Sequence, residues 1–212
     1  MEDNNAHDRL NEEKWDRRAK TFDESRFNYF RFMQKRLVSL LDLKEGQRLL
    51  DMGCGTGWAV RYAASRTSDR GEFYGVDISS KMIEKARESS SDFENVHFCK
   101  SSSEQLPFAD DFFDLTICSN YFHHYFSPDR VLGQVYRVLK RQARIYILDG
   151  TADSFIVRMA DRRARKKDSS HVKLYSTQEY KTLFAGAKLN YVATKSIWGL
   201  LYVKIHIGEK RP

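Results

Sequence analysis

The sequence has 212 residues, of which 41% are hydrophobic, and this suits one compact domain with a sizeable core. Its net charge of +7 is unevenly spread, because residues 158–167 carry six basic side chains against one acid and so contribute +5 by themselves. A general nucleic-acid binder is usually basic over most of its length, so the composition argues against that class.

The cysteines and the amino-terminal residues indicate in which cellular compartment the protein is expected. Cys54, Cys99 and Cys118 are widely spaced and odd in number, so they fit neither a disulfide framework nor a metal site. We therefore expect reduced thiols in a cytoplasmic protein that binds no metal. The first ten residues are polar, and no apolar run approaches the ~20 residues of a membrane span, so we expect neither a secretory signal nor a transmembrane segment.

The amino-terminal part is predicted to be helical. Residues 1–10 are polar and are expected to be disordered. A helix is expected over Glu12–Lys20, with Phe22 just beyond it on the same apolar side. A second helix is expected over Tyr29–Leu41, where apolar residues recur at three- and four-residue steps.

A glycine-rich loop follows the first predicted strand, Arg48–Met52. It reads Asp51-x-Gly53-Cys54-Gly55-x-Gly57, and a helical pattern starts at once with Trp58. Glycines let the backbone turn sharply and approach a ligand, and the free amides at the helix start favour hydrogen-bond acceptors. The dinucleotide fingerprint needs a glycine where Trp58 stands, and the Gly-Lys-Ser/Thr of a P-loop is missing, so both are excluded. A carboxylate at Asp51 would repel a pyrophosphate and attract a cation.

A second strand, Glu72–Asp77, ends in an acid 20 residues after Gly57. An acid at this place typically accepts hydrogen bonds from the ribose hydroxyls of a nucleoside. Ile78 and Met82, just beyond it, are candidates to pack on the base. The alternative is that Asp77 only caps the helix that begins at Ser79 or Ser80.

The pattern Asp-x-Gly-x-Gly-x-Gly, with an acid ending the next strand, resembles the first motifs of the class I S-adenosylmethionine-dependent methyltransferases. Residues 15–23 resemble the amino-terminal cap of the small-molecule branch of that family, which includes the ubiquinone and menaquinone C-methyltransferases. The resemblance implies S-adenosylmethionine as cofactor and S-adenosylhomocysteine as product. It also implies that Asp51, the glycine loop, Asp77 and Phe22 contact the cofactor. Phe22 stands where a tyrosine is common, so a hydroxyl contact is lost.

A third strand, Asn95–Lys100, leads into Ser101–Phe108, which resembles the family's Gly-Asp-Ala-Glu-x-Leu-Pro-Phe segment. In the family this segment lies along the adenine, which implies cofactor contacts for Ser102, Ser103 and Glu104. Ser102 replaces the aspartate that usually accepts the adenine amino group. A serine hydroxyl can accept a hydrogen bond but brings no charge.

A fourth strand, Asp114–Cys118, runs into the polar and aromatic segment Ser119–Phe126. Ligands of an open parallel sheet lie beyond the carboxyl ends of the strands. We therefore expect Ser119 beside the cofactor, and Asn120 and Tyr121 where the methyl group meets the acceptor.

Two adjacent histidines lie in the same segment. Neighbours in an extended segment point to opposite sides, so only one of His123 and His124 is expected to face the acceptor. The family resemblance places a histidine at His124, which is our candidate for the general base. The alternatives are that the ring only packs and hydrogen-bonds, or that positioning alone suffices for transfer.

The rest of the chain predicts further helices and strands. They are a helix over Pro128–Lys140, a strand over Arg144–Leu148, a basic helix over Ser154–Lys167, a helix over Thr177–Gly186 without a full capping box, and an antiparallel edge pair, Lys188–Ser196 and Leu200–Ile207. The resemblance implies an α/β fold with a Rossmann-like, seven-stranded, mostly parallel sheet, helices on both faces and only the last strand antiparallel. We expect one methyltransferase domain over 1–212, with a helical cap (1–44), a cofactor-binding core (45–150) and an acceptor-side part (151–212).

The leading functional prediction is methyl transfer to a small-molecule acceptor by in-line displacement. One alternative is an RNA or protein methyltransferase, which the basic window 158–167 favours. Against it, no separate nucleic-acid module is visible, and Ser119–Phe122 does not match the Asn/Asp-Pro-Pro-Tyr motif of amino methyltransferases on nucleic acids. A third reading is a cofactor-binding protein without catalysis.

The basic window 158–167 is expected to lie outside the cofactor site. It is predicted to contact an anionic acceptor or a membrane surface, or else to be a plain solvated helix. We expect the protein to be a monomer or a homodimer.

Overall fold

The computed structural model describes residues 2–22, 27–67, 71–197 and 200–212. The described helices are α1 (Glu2–Ala19), α2 (Phe27–Ser39), α3 (Trp58–Ala64), α4 (Ser80–Glu88), α5 (Pro128–Val138), α6 (Phe155–Lys167) and α7 (Thr177–Gly186). The strands are β1 (Arg48–Met52), β2 (Glu72–Asp77), β3 (Val96–Lys100), β4 (Phe113–Ser119), β5 (Leu139–Gly150), β6 (Leu189–Ile197) and β7 (Leu200–Lys210).

The strands form one seven-stranded sheet in the order β3-β2-β1-β4-β5-β7-β6. Strands β1 to β5 pair in parallel, and β7 runs antiparallel to both of its neighbours, β5 and β6. The predicted α/β fold with an antiparallel last strand is therefore confirmed. The strand order reverses between β1 and β4, and the carboxyl ends of strands at such a switch point are where open α/β sheets bind ligands.

The core lies on both faces of the sheet, as the alternation of side chains along a strand requires. Leu49 of β1 packs in a cluster with α2, α3 and α4, while Leu50 packs in a second cluster with α5 and α7. Four of the five β1 side chains are buried, which is typical of a central parallel strand covered on both sides. Because helices pack against both faces of β1, the strand is held firmly in the sheet, and so is the point at which the following loop begins.

The amino terminus differs from the prediction, because α1 begins at Glu2, where disorder was expected. His7, Asn11 and Ala19 are buried at four- and eight-residue steps on one side of the helix. Two of these three side chains are polar, so no apolar period reveals the helix. Contacts with distant parts of the chain hold it instead, including an ion pair between Glu12 and Lys100.

One helix cap and one strand boundary differ from the prediction. The bounds of α7 are those predicted, but Ser176 caps it and forms a complete capping box with Glu179, where no full box was expected. Strand β5 begins at Leu139, directly after α5, rather than at Arg144. Gln142 has φ +62°, so the backbone is left-handed at one position within this strand.

The three cysteines are free. Within the described ranges, no helix has both the length and the apolar character needed to cross a bilayer. In the same ranges, no group of three or more His, Cys, Asp or Glu side chains is arranged to hold a metal ion.

Candidate active site

The loop after β1 is a left-handed glycine turn. Gly53, Gly55 and Gly57 have φ of +71°, +53° and +74°, a region that costs any residue with a Cβ about 1–2 kcal/mol. The amides of Gly53 and Cys54 donate to the carbonyl of Val76 in β2, at 2.9 and 3.0 Å. A Cβ on Gly53 would lie 2.6 Å from the Tyr121 ring, so glycine is required there by space as well.

Asp77, at the end of β2, fixes this loop. One carboxylate oxygen accepts from the Gly55 amide at 2.9 Å, and the other accepts from the Ser79 amide at 2.9 Å. Burial raises the pKa of Asp77 to about 6, although these amides act in the opposite direction. The helix cap is Ser79 itself, whose hydroxyl accepts from Met82. Asp77 therefore does not serve only as a helix cap, because it also holds the glycine turn against β2 and lines the cavity over that turn.

A cavity with about 690 Å³ of empty space, partly open to solvent, lies over the loop. Five of its lining residues are aromatic, and most of the others are polar or glycine. It is lined by Trp15, Phe22, Phe30, Arg31, Gln34, Gly53, Cys54, Gly55, Thr56, Trp58, Asp77, Met82, Ser119, Asn120 and Tyr121. Nine of these were predicted as site residues: Phe22, Gly53, Cys54, Gly55, Asp77, Met82, Ser119, Asn120 and Tyr121.

A second hollow of about 320 Å³ shares Gly53, Asp77 and Tyr121 with the first cavity, so the two adjoin. It is lined by Asp8, Asn11, Gly53, Asp77, Ile78, Ser101, Ser102, Ser103, Glu104, Tyr121, His124 and Tyr125. The predicted residues Ile78, Ser102, Ser103, Glu104 and His124 therefore come together here. Asp51 and Gly57 line neither space, because Asp51 is buried and Gly57 is the cap of α3.

Asp8 was not predicted as a site residue, because α1 was expected to start after it. Its carboxylate accepts from the Ser102 hydroxyl at 3.2 Å, and burial raises the pKa of Asp8. Ninety-four positions separate the two residues, so no local pattern could reveal the pair. Helix α1 thus places a carboxylate beside Ser102.

Helix α1 is held over the carboxyl edge of the sheet from both sides. Asp16 accepts from the Ser79 hydroxyl at 2.5 Å and from the Lys81 amide at 3.1 Å, at the start of α4. On the other side, Lys14 pairs with Asp168 at 2.6 Å. Trp15 lies between these contacts, with its ring 6.0 Å from that of Tyr121. The helix therefore closes the site over the strand ends.

Asp51 is a buried carboxyl beneath the loop. Among the described residues, neither of its carboxylate oxygens has a hydrogen-bond partner. Burial, and then the nearby Asp77, raise the pKa of Asp51 to about 8. Because a buried carboxyl next to a second one is costly to ionise, a cationic ligand close by would stabilise both carboxylates. The pair fits a cofactor that carries positive charge and no phosphate.

The histidine segment is a 3₁₀ turn, Phe122–His124, rather than the expected extended chain. The His124 amide donates back to the Tyr121 carbonyl at 2.9 Å, and the two histidine rings lie side by side, with centroids 4.1 Å apart and planes tilted by 41°. His123 binds the buried carboxylate of Asp149 through Nδ1 at 2.8 Å. The expectation that opposite sides separate the two rings was therefore wrong.

His124 is buried, and its Nδ1 lies 2.6 Å from the carbonyl oxygen of Ser170. A carbonyl can only accept, so Nδ1 carries the proton and Nε2 is the basic nitrogen. Burial, and then the neighbouring His123, lower the pKa of His124 well below 6.5. The ring is therefore neutral at pH 7 and lines the second hollow.

The chain matches a known protein family over most of its length. The family described as Methyltransferase domain matches residues 43–197. The chain is 30% identical over 159 residues to the uncharacterized methyltransferase YcgJ of Bacillus subtilis, which is 73% of this chain and 62% of that protein. It is 33% identical over 109 residues to the ubiquinone/menaquinone biosynthesis C-methyltransferase UbiE of Vibrio parahaemolyticus, which is 50% of this chain and 42% of that protein. The chain thus spans less than two thirds of the length of these curated relatives.

Solved structures share the fold. A putative methyltransferase of Haloferax volcanii, solved in complex with the Trm112 methyltransferase activator, has a TM-score of 0.85 at 19% identity and covers 95% of this chain and 98% of its own. A SAM-dependent methyltransferase from Aquifex aeolicus has a TM-score of 0.73 at 22% identity, with 92% and 97% covered. Because the family match covers most of the chain, this protein belongs to the methyltransferase domain family, and its fold is that of the S-adenosylmethionine-dependent methyltransferases.

Proposed function

We propose that the protein transfers a methyl group from S-adenosylmethionine to a small-molecule acceptor by in-line displacement and releases S-adenosylhomocysteine. The observation that carries the proposal is the glycine turn held by Asp77 under a cavity with several aromatic lining residues, with the buried Asp51 carboxyl close to Asp77. This combination suits a ligand with a nucleoside at one end and positive charge at the other.

The nucleoside half fits the hollow beside β2 and β3. Asp77 is placed to accept from the ribose hydroxyls, while Ile78 and Met82 supply apolar faces for the base. The Asp8 carboxylate, with Ser102, Ser103 and Glu104 nearby, offers acceptors for an exocyclic amino group. We infer that Asp8 restores the charge that serine at position 102 lacks.

The charged half fits the cavity over the loop. Ser119 and the glycine turn with Cys54 offer backbone groups to an amino acid moiety, and Asp51 and Asp77 supply negative charge behind it. The Trp15, Phe22 and Tyr121 rings line the same cavity and would stabilise a sulfonium through cation–π contact. The cofactor supplies the activated methyl group, and the residues align it with the acceptor and exclude water.

The acceptor side is formed by the end of β4 and the histidine turn. Asn120 lines the cavity in a left-handed conformation at φ +55°, and its side-chain amide donates to Ser119 at 3.0 Å. We propose that Asn120 and Tyr121 orient the acceptor, and that Nε2 of His124 takes its proton as the methyl arrives. Neutral His124 is in the correct protonation state for this step at pH 7.

The acceptor class is supported by the sequence relatives rather than by the fold. UbiE is named as a ubiquinone/menaquinone biosynthesis C-methyltransferase, so a phenol or quinol is the first acceptor to test. The Haloferax methyltransferase was solved with a protein activator, so a small protein partner is a second association to test beside the expected monomer or homodimer. We also expect the reaction to take place in the cytoplasm.

The test is transfer of a labelled methyl group from S-adenosylmethionine to a panel of phenols, quinols, thiols and amines. The control is Gly55→Val, whose β-branched side chain would project into the cavity beside Phe22. Turnover of a small acceptor by the wild type alone supports the proposal. Turnover only with RNA or protein contradicts the small-molecule assignment, and cofactor binding without turnover of any acceptor contradicts catalysis.

A further inference from the structure

Helix α6 carries a surface that the proposed reaction does not use. Phe155 and Ile156, in its first turn, are 69% and 78% exposed. Among the described residues, the next most exposed large apolar side chains, Leu10 and Tyr202, reach only 49%. Six basic residues follow on the same helix, and none of them lines either cavity.

The apolar and basic side chains share the outward face. Residues three and four apart lie on one side of a helix. One stripe therefore runs from Phe155 and Met159 to Arg162 and Lys166, and its neighbour runs from Ile156 and Ala160 to Arg163 and Lys167. Both stripes are apolar in the amino-terminal half and basic in the carboxyl-terminal half.

The opposite face anchors the helix to the protein. Asp161 is buried and binds Arg165, the His171 ring at 2.7 Å and the Leu174 amide at 2.9 Å. The His171 ring in turn contacts the His123 ring, with centroids 4.9 Å apart and planes tilted by 44°. The helix is thus fixed to the segment behind the histidine turn, and its outward side chains are held in one orientation.

Charge explains only part of this surface. Among the described residues, no acidic side chain pairs with the exposed cations Arg158, Arg162, Arg163, Lys166 and Lys167; the one ion pair within the helix is that of Arg165 with Asp161. A soluble polyanion would match these cations but would leave Phe155 and Ile156 in water. An anionic bilayer matches both halves, because lipid phosphates lie above acyl chains.

The spacing also fits a bilayer. Arg162 lies seven positions after Phe155, which at a rise of 1.5 Å per residue is about 10 Å along the helix, and a helix that tilts its amino-terminal end toward the bilayer turns part of this distance into depth. Interfacial apolar side chains enter the headgroup and acyl boundary by about 5–10 Å. We propose that α6 is a peripheral docking element for anionic membranes, with Phe155 and Ile156 entering the acyl boundary and the basic turns contacting lipid phosphates.

The experiment is co-sedimentation of the full chain with vesicles of phosphatidylcholine alone and of phosphatidylcholine mixed with phosphatidylglycerol. The wild type should bind the mixed vesicles and not the neutral ones. Combined Arg162→Glu, Arg163→Glu and Lys166→Glu should weaken this binding about 100-fold or more, and Phe155→Ser with Ile156→Ser about 10-fold or more.

A matched control reverses three exposed charges elsewhere, Lys35→Glu, Arg66→Glu and Lys195→Glu, and should bind far better than the α6 charge variant. All variants should bind S-adenosylhomocysteine as the wild type does, which separates this proposal from that of the reaction. Wild-type binding that is absent, or equal for neutral vesicles, overturns the proposal. So does a serine variant that binds normally, or charge-dependent binding of a short RNA in place of vesicles.

Discussion

Gly55→Ala is the substitution that separates ligand binding from folding most cleanly. Gly55 has φ +53°, and a Cβ built on it would meet only the Phe22 ring, at 3.8 Å. The folded chain therefore has room for the methyl group, which would point into the cavity that Gly55 and Phe22 line. The substitution therefore lowers the free energy of unfolding only by the cost of the left-handed conformation, about 1–2 kcal/mol. For a domain of this size, that loss lowers Tm by about 2–8 °C.

Gly46→Ala is the matched control. Gly46 has φ +78° with nothing within 4 Å of a Cβ, and it precedes β1 whereas Gly55 follows it. Both variants should lose similar stability by differential scanning calorimetry. Titration calorimetry should show at least about a 10-fold loss of S-adenosylhomocysteine affinity for Gly55→Ala, which corresponds to about 1.4 kcal/mol of binding free energy. Gly46→Ala should show no change, because its methyl group lies away from the cavity. Equal affinities in the two variants would refute the placement of the ligand on this loop.

The remaining predictions concern the acids and the histidine. Asp77→Ala should weaken S-adenosylhomocysteine binding by about 1–3 kcal/mol in calorimetry, and unchanged affinity in a folded variant would remove the ribose assignment. Asp51 has its pKa raised to about 8, so the ligand-free fold binds more protons than the unfolded chain and loses stability as pH rises toward 8. A cationic ligand favours the ionised Asp51 carboxylate, so S-adenosylmethionine affinity should rise between pH 6 and 8 in the wild type. In Asp51→Asn the rise should be smaller and confined to the region near pH 6, where Asp77 still titrates. If His124 is the base, its lowered pKa puts the acid limb of the rate well below pH 6.5, and His124→Asn should remove that limb and cost about 10²-fold in rate.

The parts of the fold that local pattern controls were predictable. β1 is a short buried strand, and its predicted bounds, Arg48–Met52, are those observed. The alternate glycines that follow it can be read from sequence because the left-handed turn itself demands them. The acid at Asp77 follows from the same βαβ geometry, since parallel strands end at the same edge of the sheet.

The parts that depend on distant contacts were not predictable. The amino-terminal turns of α1 bury the polar side chains of His7 and Asn11, and Asn11 lines the second hollow, so these turns gave no apolar signal. The site role of Asp8 depends on Ser102, and the buried partner of His123 is Asp149, 26 positions away. Pairing over such distances sets the shape of the histidine turn, which neighbouring residues alone do not specify.

The most direct test of the central claim is calorimetric titration of the wild-type chain with S-adenosylhomocysteine at pH 7, compared with Gly55→Val. We predict one ligand per chain for the wild type and no measurable binding for the variant, since the methyl groups of the valine side chain would project into the cavity. A folded wild-type chain that takes up no ligand, or a Gly55→Val variant that binds as tightly as the wild type, would contradict the account.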